Sequence, residues 1–589
     1  LTTQYLLGNE AIARGCLEAP VHFVTGYPGT PSSDVIDILR SHPERDYYIE
    51  WSVNEKVALE NALAAAWCGQ RALCTMKHVG LNVAADPLMT SAYTGVTGGL
   101  VIMSADDPFA HSSQNEQDSR CYALFARVPC LDPATIQEAH DMARDAFSLS
   151  EEFSLPVIFR PTTRICHSKG DTSLGFPPVS PRKGEFHKNP QQYVVIPAHT
   201  RILHKKLNQK QPLIKKALVG KGYNQAAVRG RVAVVASGIA ASYVQEILPE
   251  DVSFMKIGAY PIDEEWLAQF VQKHEKVLVI EELHPVVEEA VRQVAGSVPV
   301  HGKKDGKVPF EGELSTIAVA GIMQECGITP LRTFPDSVPA GDLPARPPIL
   351  CAGCMHRPVF YSMRKIFKEG IFPSDIGCYT LGLQLGAVDT TICMGASITV
   401  GSGISHSGEE HDIVATIGDS TFLHTGIPGL LNAVYNGAKM ILVILDNRIT
   451  AMTGHQPNPA TGETACGIPM PPVSLESLCR ACGVVYVETV DPYDLVSLQA
   501  ALKNAQEQPG VKVIIARQPC VITARRAGIR RGRFQVEPNT CTECGICIKF
   551  GCPALEKAGE KAYINDLCSG CGVCAQICPS GAIGKEVKR

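Results

Sequence analysis

Eight of the 23 cysteines lie within residues 541–578, CTECGICIKFGCPALEKAGEKAYINDLCSGCGVCAQIC. Thiolates at this density suit transition metals, and their spacing narrows the choice. Two C-x-x-C-x-x-C runs, each followed within a few residues by Cys-Pro, suit a pair of 4Fe–4S clusters, with the last cysteine of each run ligating the other cluster. One predicted set is Cys541, Cys544, Cys547 and Cys578; the other is Cys552, Cys568, Cys571 and Cys574. A structural zinc ion would use only four thiolates. The first run departs from the pattern, with four residues between Cys547 and Cys552 where the second run has three. Altered geometry at the Cys552 set is the expected consequence. Such a tail carries electrons but does not identify their source.

A second chemical stretch is GDSTFLHTGIPGLLNAVYNGAKMILVILDNRI, residues 418–449. An apolar strand ends at Asp419, a helical segment follows, and a second apolar strand ends at Asp446-Asn447. In an open α/β sheet such strand ends line a ligand crevice. Oxygen ligands at neighbouring ends suit Mg²⁺ bridging to a diphosphate, and Gly418 and Gly426 would let the backbone approach phosphates. Two core strands with polar ends are the plainer alternative. The stretch resembles the thiamine-diphosphate motif. That resemblance implies Mg²⁺ held by Asp419, the Asn447 side chain and the Ile449 carbonyl, with Gly418, Ser420, Met394 and Gly395 against the cofactor.

Thiamine chemistry needs a second domain, whose buried carboxyl hydrogen-bonds the cofactor's aminopyrimidine and favours the tautomer that acts as base. WSVNEKVALENALAAAWCGQ offers Glu55 at the start of an Ala-rich helix, expected to be buried nearly all round. Its N-E-x-x-A start is similar to the pyrimidine-binding domain of thiamine enzymes, which makes Glu55 the expected activating acid. A first-turn acid favoured by the helix dipole is the alternative. Glu60 falls on a different face.

Taken together, these motifs resemble the superfamily of 2-oxoacid:ferredoxin oxidoreductases, over residues 4 to 582. TGYPGTPSSD is similar to its loop beside the cofactor, which puts Thr30 near the thiazolium and substrate; RVAVVASGIAASYVQEIL and KVLVIEEL look like its transketolase C-terminal-like domain. DIGCYTLG and DNRITAMTGHQPNP follow the order of its diphosphate-binding domain. The implied fold is multidomain α/β. It comprises two doubly wound parallel-sheet thiamine domains, a transketolase C-terminal-like domain and a two-cluster bacterial ferredoxin-like α+β domain. The expected divisions are a pyrimidine-binding domain at 1–180, a linker at 181–227, the transketolase-like domain at 228–335, the diphosphate-binding domain at 345–524 and the ferredoxin domain at 532–589.

The resemblance also gives a role to ILCAGCMHRP at 349–358, whose C-x-x-C suits half a zinc site, a redox disulfide, part of a cluster, or buried thiols. Related enzymes hold a third 4Fe–4S cluster beside the thiamine, and Cys351, Cys354, Cys378 and Cys520 fall where that pattern asks. The implied reaction is oxidative decarboxylation of an aryl 2-oxo acid, indolepyruvate or another arylpyruvate, to aryl-acetyl-CoA. Coenzyme A is co-substrate and ferredoxin the electron acceptor. The aryl preference rests on the resemblance, and the loop SADDPFAHSSQNEQDSR is consistent with a bulkier side chain. There Asp106 and Asp107 stand where pyruvate enzymes carry a carboxylate-binding arginine, and His111, Ser112, Gln114 and Asn115 are candidate contacts or loop caps. His78 and His424 are candidates of the same kind. A smaller beta subunit is implied, in a heterotetramer of two large and two small chains. A non-oxidative arylpyruvate decarboxylase is one alternative, and an electron-transfer subunit with a vestigial thiamine fold another; the tail cysteines oppose the first, and Glu55, Asp419 and Asn447 together oppose the second.

The background of these motifs is ordinary for a globular chain. Its 589 residues suit three to five domains. A net charge of −5 gives no reason to expect nucleic-acid or membrane binding. The charge-poor stretch 376–408 is too broken by Gly, Thr and Ser for a membrane span, and LTTQYLLGNEAIARG lacks the basic start and apolar core of a signal peptide. Cysteines used for metal ligation point to a reducing cytoplasm. Residues 181–227 carry ten Lys/Arg and one acid, Glu185. They read as a solvated linker, with docking of a partner or of coenzyme A phosphates as the other reading. RRAGIRRGR at 525–533 reads as a second linker.

Overall fold

The computed structural model describes residues 2–43, 46–178, 183–332, 334, 344 and 346–586; the expected boundaries at 1, 180, 181, 335, 345 and 589 lie outside them. The chain forms two compact units, Leu1–Ala340 and Gly341–Arg589.

In the first unit, seven strands among the described residues form one sheet, in the order Ala259–Tyr260, Cys130–Leu131, Val157–Phe159, Leu100–Ala105, Ala72–Lys77, Phe23–Gly26, Tyr48–Ile49. All neighbours are parallel except the first pair. Ala72–Lys77 and Leu100–Ala105 are buried at every position, as central parallel strands covered on both faces must be. A second sheet has the order Val300–His301, Lys276–Ile280, Val232–Ser237, Ser253–Ile257, Gln225–Ala227, with only the last pair antiparallel. Ala259–Tyr260 follows directly on the second sheet's Ser253–Ile257 yet joins the edge of the first sheet, so the two layers share chain.

A buried ion network adds to this join. Arg120 is wholly buried and binds Asp118 (2.6 Å) and Glu281 (2.8 Å), the Ser237 and Tyr260 hydroxyls, and the carbonyls of Glu282 and His284. Arg160 pairs with Asp106 (2.6 Å) and Asp132 (3.0 Å). Every charge in this group has a partner, the condition under which buried ions are tolerated.

The expected linker at 181–227 is largely ordered structure. Helix Pro197–Gly220 buries Leu203, Leu207, Ile214 and Leu218, and contacts helix Ala85–Thr94. Its lysines and arginines occupy the remaining faces, and Gln225–Ala227 is already an edge strand of the second sheet. The charge run is one side of an amphipathic helix.

The second unit is built on a parallel sheet ordered Val414–Gly418, Met440–Asp446, Val511–Arg517, Tyr486–Val490. The tail adds two antiparallel strand pairs, Phe534–Val536 with Ile583–Lys585 and Leu555–Ala558 with Lys561–Ile564, and short helices Ile546–Lys549 and Val573–Ile577. Phe550, Leu555, Ile564, Val573 and Ile577 share one apolar core with Phe360, Tyr493 and Ile514, so the tail is packed onto this unit. The basic run before it is pinned: Arg531 donates to Gln518 Oε1 (2.9 Å) and lies 4.8 Å from the Tyr493 ring, and Arg525 donates to the Leu567 carbonyl (2.8 Å). No helix among the described residues is long and apolar enough to cross a membrane.

Candidate active site

In the first unit, Asn54 caps helix Glu55–Trp67 by accepting a hydrogen bond from the Val57 backbone N–H (2.9 Å). Glu55, the first residue inside, is 5 % exposed. The helix is not buried all round. Lys56, Glu60 and Ala64 form an exposed stripe, on which Lys56 and Glu60 pair. Burial follows the remaining faces because only they meet strands Phe23–Gly26 and Ala72–Lys77. Against Glu55 stands Gly80 of helix His78–Val83: a methyl group there would lie 2.6 Å from Glu55 Oε1 and Cγ. The acid is thus seated on bare backbone.

Thr30 belongs to the loop after strand Phe23–Gly26. Its carbonyl accepts from Ser112 Oγ (3.3 Å), and the neighbouring Gly29 packs against the Lys77 stem. Segment 77–80 therefore touches both the Thr30 loop and Glu55. Lys77 donates to the Ser112 carbonyl (2.8 Å); burial lowers its pKa to about 8, with Asp107 opposing. His78 is buried, with Nε2 3.1 Å from the Asn115 carbonyl, and burial lowers its pKa. Asp106 and Asp107 are both held by protein groups. Asp106 is committed to Arg160 and Ser119, while Asp107 accepts from the Ser112 N–H (2.8 Å) and from the Ser113 and Thr163 hydroxyls (both 2.6 Å). Asp107 is the loop's cap.

In the second unit, Gly418 pairs with Leu445 in the parallel register, so Asp419 and Asp446-Asn447 emerge side by side at the same sheet end. Asp419 is buried and accepts from Asn458 Nδ2 (3.0 Å). Burial, then the nearby Asp446, push its carboxyl up to about 7. Asp446 accepts from Arg517 Nε (2.6 Å), yet its Oδ1 is buried with no hydrogen-bond partner. Two carboxylates together, one with an orphaned oxygen, fit a bound cation. Asn447 Oδ1 accepts from the Ile449 N–H (3.1 Å), and Ser420 Oγ accepts from Thr450 (2.8 Å). The Met394 carbonyl accepts from Thr425 Oγ1 (2.6 Å), while the Gly395 N–H donates to Asp375 (2.9 Å). Gly418 differs from expectation. A side chain there would strike the Tyr379 ring at 2.5 Å, and one at Gly426 would meet Ile417 and Phe422 at 3.0 Å, so both serve packing where open phosphate cradles are expected. His424 is buried, with Nδ1 3.1 Å from Thr425 Oγ1.

The twelve singled-out cysteines fall into three groups. Cys541, Cys544, Cys547 and Cys578 line one cavity of the tail. Cys552, Cys568, Cys571 and Cys574 line another, together with Gly353 of the C-x-x-C loop. Each cavity takes cysteines from both runs. Cys351, Cys354 and Cys378 act on one another, and Cys520 acts on Cys378. Burial lifts Cys354 to about 12, with Cys378 and Cys351 adding to the rise, and lifts Cys378 to about 11, with Cys520 and Cys351 adding. Thiols that raise one another's pKa resist ionising together unless a cationic core neutralises them, which is the chemistry of a cluster ligand set.

Residues 14–199 match the family described as "Pyruvate flavodoxin/ferredoxin oxidoreductase, thiamine diP-bdg", 375–516 match "Thiamine pyrophosphate enzyme, C-terminal TPP binding domain", and 562–584 match "4Fe-4S binding domain". With the fold described above, these make the chain an oxidoreductase that uses thiamine diphosphate and iron–sulfur chemistry. It is 45% identical over 605 residues to the indolepyruvate oxidoreductase subunit IorA of Archaeoglobus fulgidus, across 98% of this chain and 97% of that one. It is 44% identical to the subunit of the same name from Thermococcus kodakarensis, across 98% and 96%. The chain belongs to the family of IorA subunits of indolepyruvate oxidoreductases. Among solved structures, a 2-oxoglutarate:ferredoxin oxidoreductase from Magnetococcus marinus matches at 15% identity and a TM-score of 0.46, over 55% of this chain and 65% of that one.

Proposed function

We propose that this chain is the large subunit of an enzyme that oxidatively decarboxylates aryl 2-oxo acids, indolepyruvate among them, forming the aryl-acetyl thioester of coenzyme A and reducing ferredoxin. The observation that carries this is the near-full-length identity to proteins named indolepyruvate oxidoreductase subunits. The residues support it with a buried acid, a paired-carboxylate strand end and three thiol groups in one chain.

When bound, thiamine diphosphate supplies a nucleophilic carbon and an electron sink for loss of CO₂. Glu55 holds a proton at the cofactor's pyrimidine nitrogen, and its seat on Gly80 keeps it dry and oriented. Asp419, the Asn447 side chain and the Ile449 carbonyl would hold Mg²⁺, which would supply charge for binding the diphosphate. Ser420, Met394 and Gly395 would bind on the diphosphate side, and Thr30 would orient the thiazolium and substrate. The Cys351, Cys354, Cys378 and Cys520 set would hold one cluster and the two tail sets one each, which would supply one-electron carriers toward ferredoxin. A smaller beta subunit completes the enzyme, in a heterotetramer of two large and two small chains.

Anaerobic quantification of iron, sulfide and thiamine on the purified complex, with a panel of aryl and aliphatic 2-oxo acids on the same preparation, tests this reading. Three 4Fe–4S clusters per large chain and coenzyme A-dependent ferredoxin reduction favouring aryl acids are expected. Aryl acids decarboxylated to free aldehyde without ferredoxin reduction would overturn it.

A further inference from the structure

Arg357 stands three residues after the C-x-x-C pair, in helix His356–Ile366, and is 4 % exposed. Its Nη2 donates to the carbonyl of Leu350, the residue before Cys351 (2.7 Å). Its Nη1 reaches the carbonyl of Phe550, two residues before Cys552, at 3.5 Å, and the guanidinium lies 6.0 Å from the Phe550 ring centroid. Its Nε is buried with no hydrogen-bond partner. Among the described residues no carboxylate pairs with it, and the cavity it borders is lined by further cations, Arg364, Lys365 and Lys549. Burial lowers its pKa, and the sulfurs of Cys552, Cys354, Cys351 and Cys571, when thiolate, oppose that fall.

A guanidinium buried without a counterion is strongly unfavourable, so a position like this one needs an anion from elsewhere. Its two backbone acceptors, one residue before Cys351 and two before Cys552, tie it to the segments that carry a cysteine of each thiol group. A 4Fe–4S core with four thiolates is an anion, and it gains one further negative charge on taking up an electron. A fixed positive charge beside it favours the reduced form.

We infer that Arg357 is the shared counterion of the clusters held by the Cys351, Cys354, Cys378, Cys520 set and the Cys552, Cys568, Cys571, Cys574 set, and that it raises the reduction potential of both. This rests on the reading of those sets as clusters. Each step is uptake of one electron by one cluster, with no bond made or broken and no proton moved. Arg357 acts through the clusters and is a positioning residue.

The test is an anaerobic redox titration followed by electron paramagnetic resonance, on the complete complex carrying wild type, Arg357→Met or Arg357→Lys. In Arg357→Met, two of three cluster signals should show an about tenfold lower reduced-to-oxidised ratio at fixed poise, a shift of about 59 mV for a one-electron couple. The third signal should stay put, and Arg357→Lys should recover most of the shift. Unchanged midpoints in Arg357→Met overturn the inference. If Arg357→Met loses iron, Arg357→Lys decides: retained iron with wild-type midpoints supports the counterion role, and equal loss of iron overturns it. Wild type lacking two of the three signals would instead refute the cluster reading itself.

Discussion

Replacing Gly80 with alanine separates Glu55's proposed role from the stability of its domain. The added methyl would lie 2.6 Å from Glu55 Oε1 and Cγ and 2.9 Å from Cδ, with no backbone atom among its three nearest contacts. To restore ordinary contact, the carboxyl must retreat by about 0.8 Å, which a flexible side chain can do cheaply. Alanine in helix His78–Val83 also has the better helix propensity, by about 1 kcal/mol. Stability should therefore be unchanged or slightly raised. Activity should not survive so well, because a displacement of about 1 Å in a proton-holding group costs on the order of 100-fold in rate. Viologen-coupled oxidation of indolepyruvate by the reconstituted complex, beside thermal unfolding of the same sample, reads both quantities. Wild-type turnover in Gly80→Ala would refute the claim that this carboxyl must sit where Gly80 admits it. Lost turnover with a collapsed melting temperature would refute the packing argument.

Arg120→Ala should destabilise the first unit by about 3–5 kcal/mol, because Asp118 and Glu281 would be left buried and unpaired; denaturant unfolding measures it. Glu282 gives a pH dependence. Burial raises its carboxyl to about 7, so its folded pKa exceeds its unfolded one, and its contribution to stability is full below the unfolded value and lost as pH rises through about 7. Glu282→Gln, which keeps an acceptor for the Leu314 N–H, should melt at a higher temperature relative to wild type at pH 8 than at pH 5.5. Equal offsets at the two pH values would contradict this. Cys378→Ala should remove about a third of the bound iron while the tail clusters' signals persist, a result that iron analysis and paramagnetic resonance read together.

Much of the site is legible in the sequence because its spacing is local. The tail cysteines declare their grouping by intervals of two to four residues, and Asp419 and Asp446-Asn447 by their places at the ends of apolar runs. Cys378 and Cys520 are different, since nothing near either residue ties it to Cys351; only likeness to a family suggests the group. The ion network was not legible at all. Arg120 and Glu281 are 161 positions apart, and a buried pair reads in sequence like two surface charges. Helix Pro197–Gly220 was legible but hidden, because Leu203, Leu207, Ile214 and Leu218 recur at helical intervals beneath a charge run that suggests solvent. Asn458, which donates to Asp419, sits in plain view in GHQPNP with no local sign of its partner. Gly418 carries a motif position, yet its missing side chain makes room for Tyr379, a contact that spacing alone cannot reveal.

The most direct test is anaerobic freeze-quench paramagnetic resonance of the fully loaded complex after mixing with indolepyruvate, in wild type and in Glu55→Gln matched for iron and thiamine. Reduced-cluster signals should grow in wild type and fail to appear on the same timescale in Glu55→Gln. Signals growing at the same rate in both would contradict this.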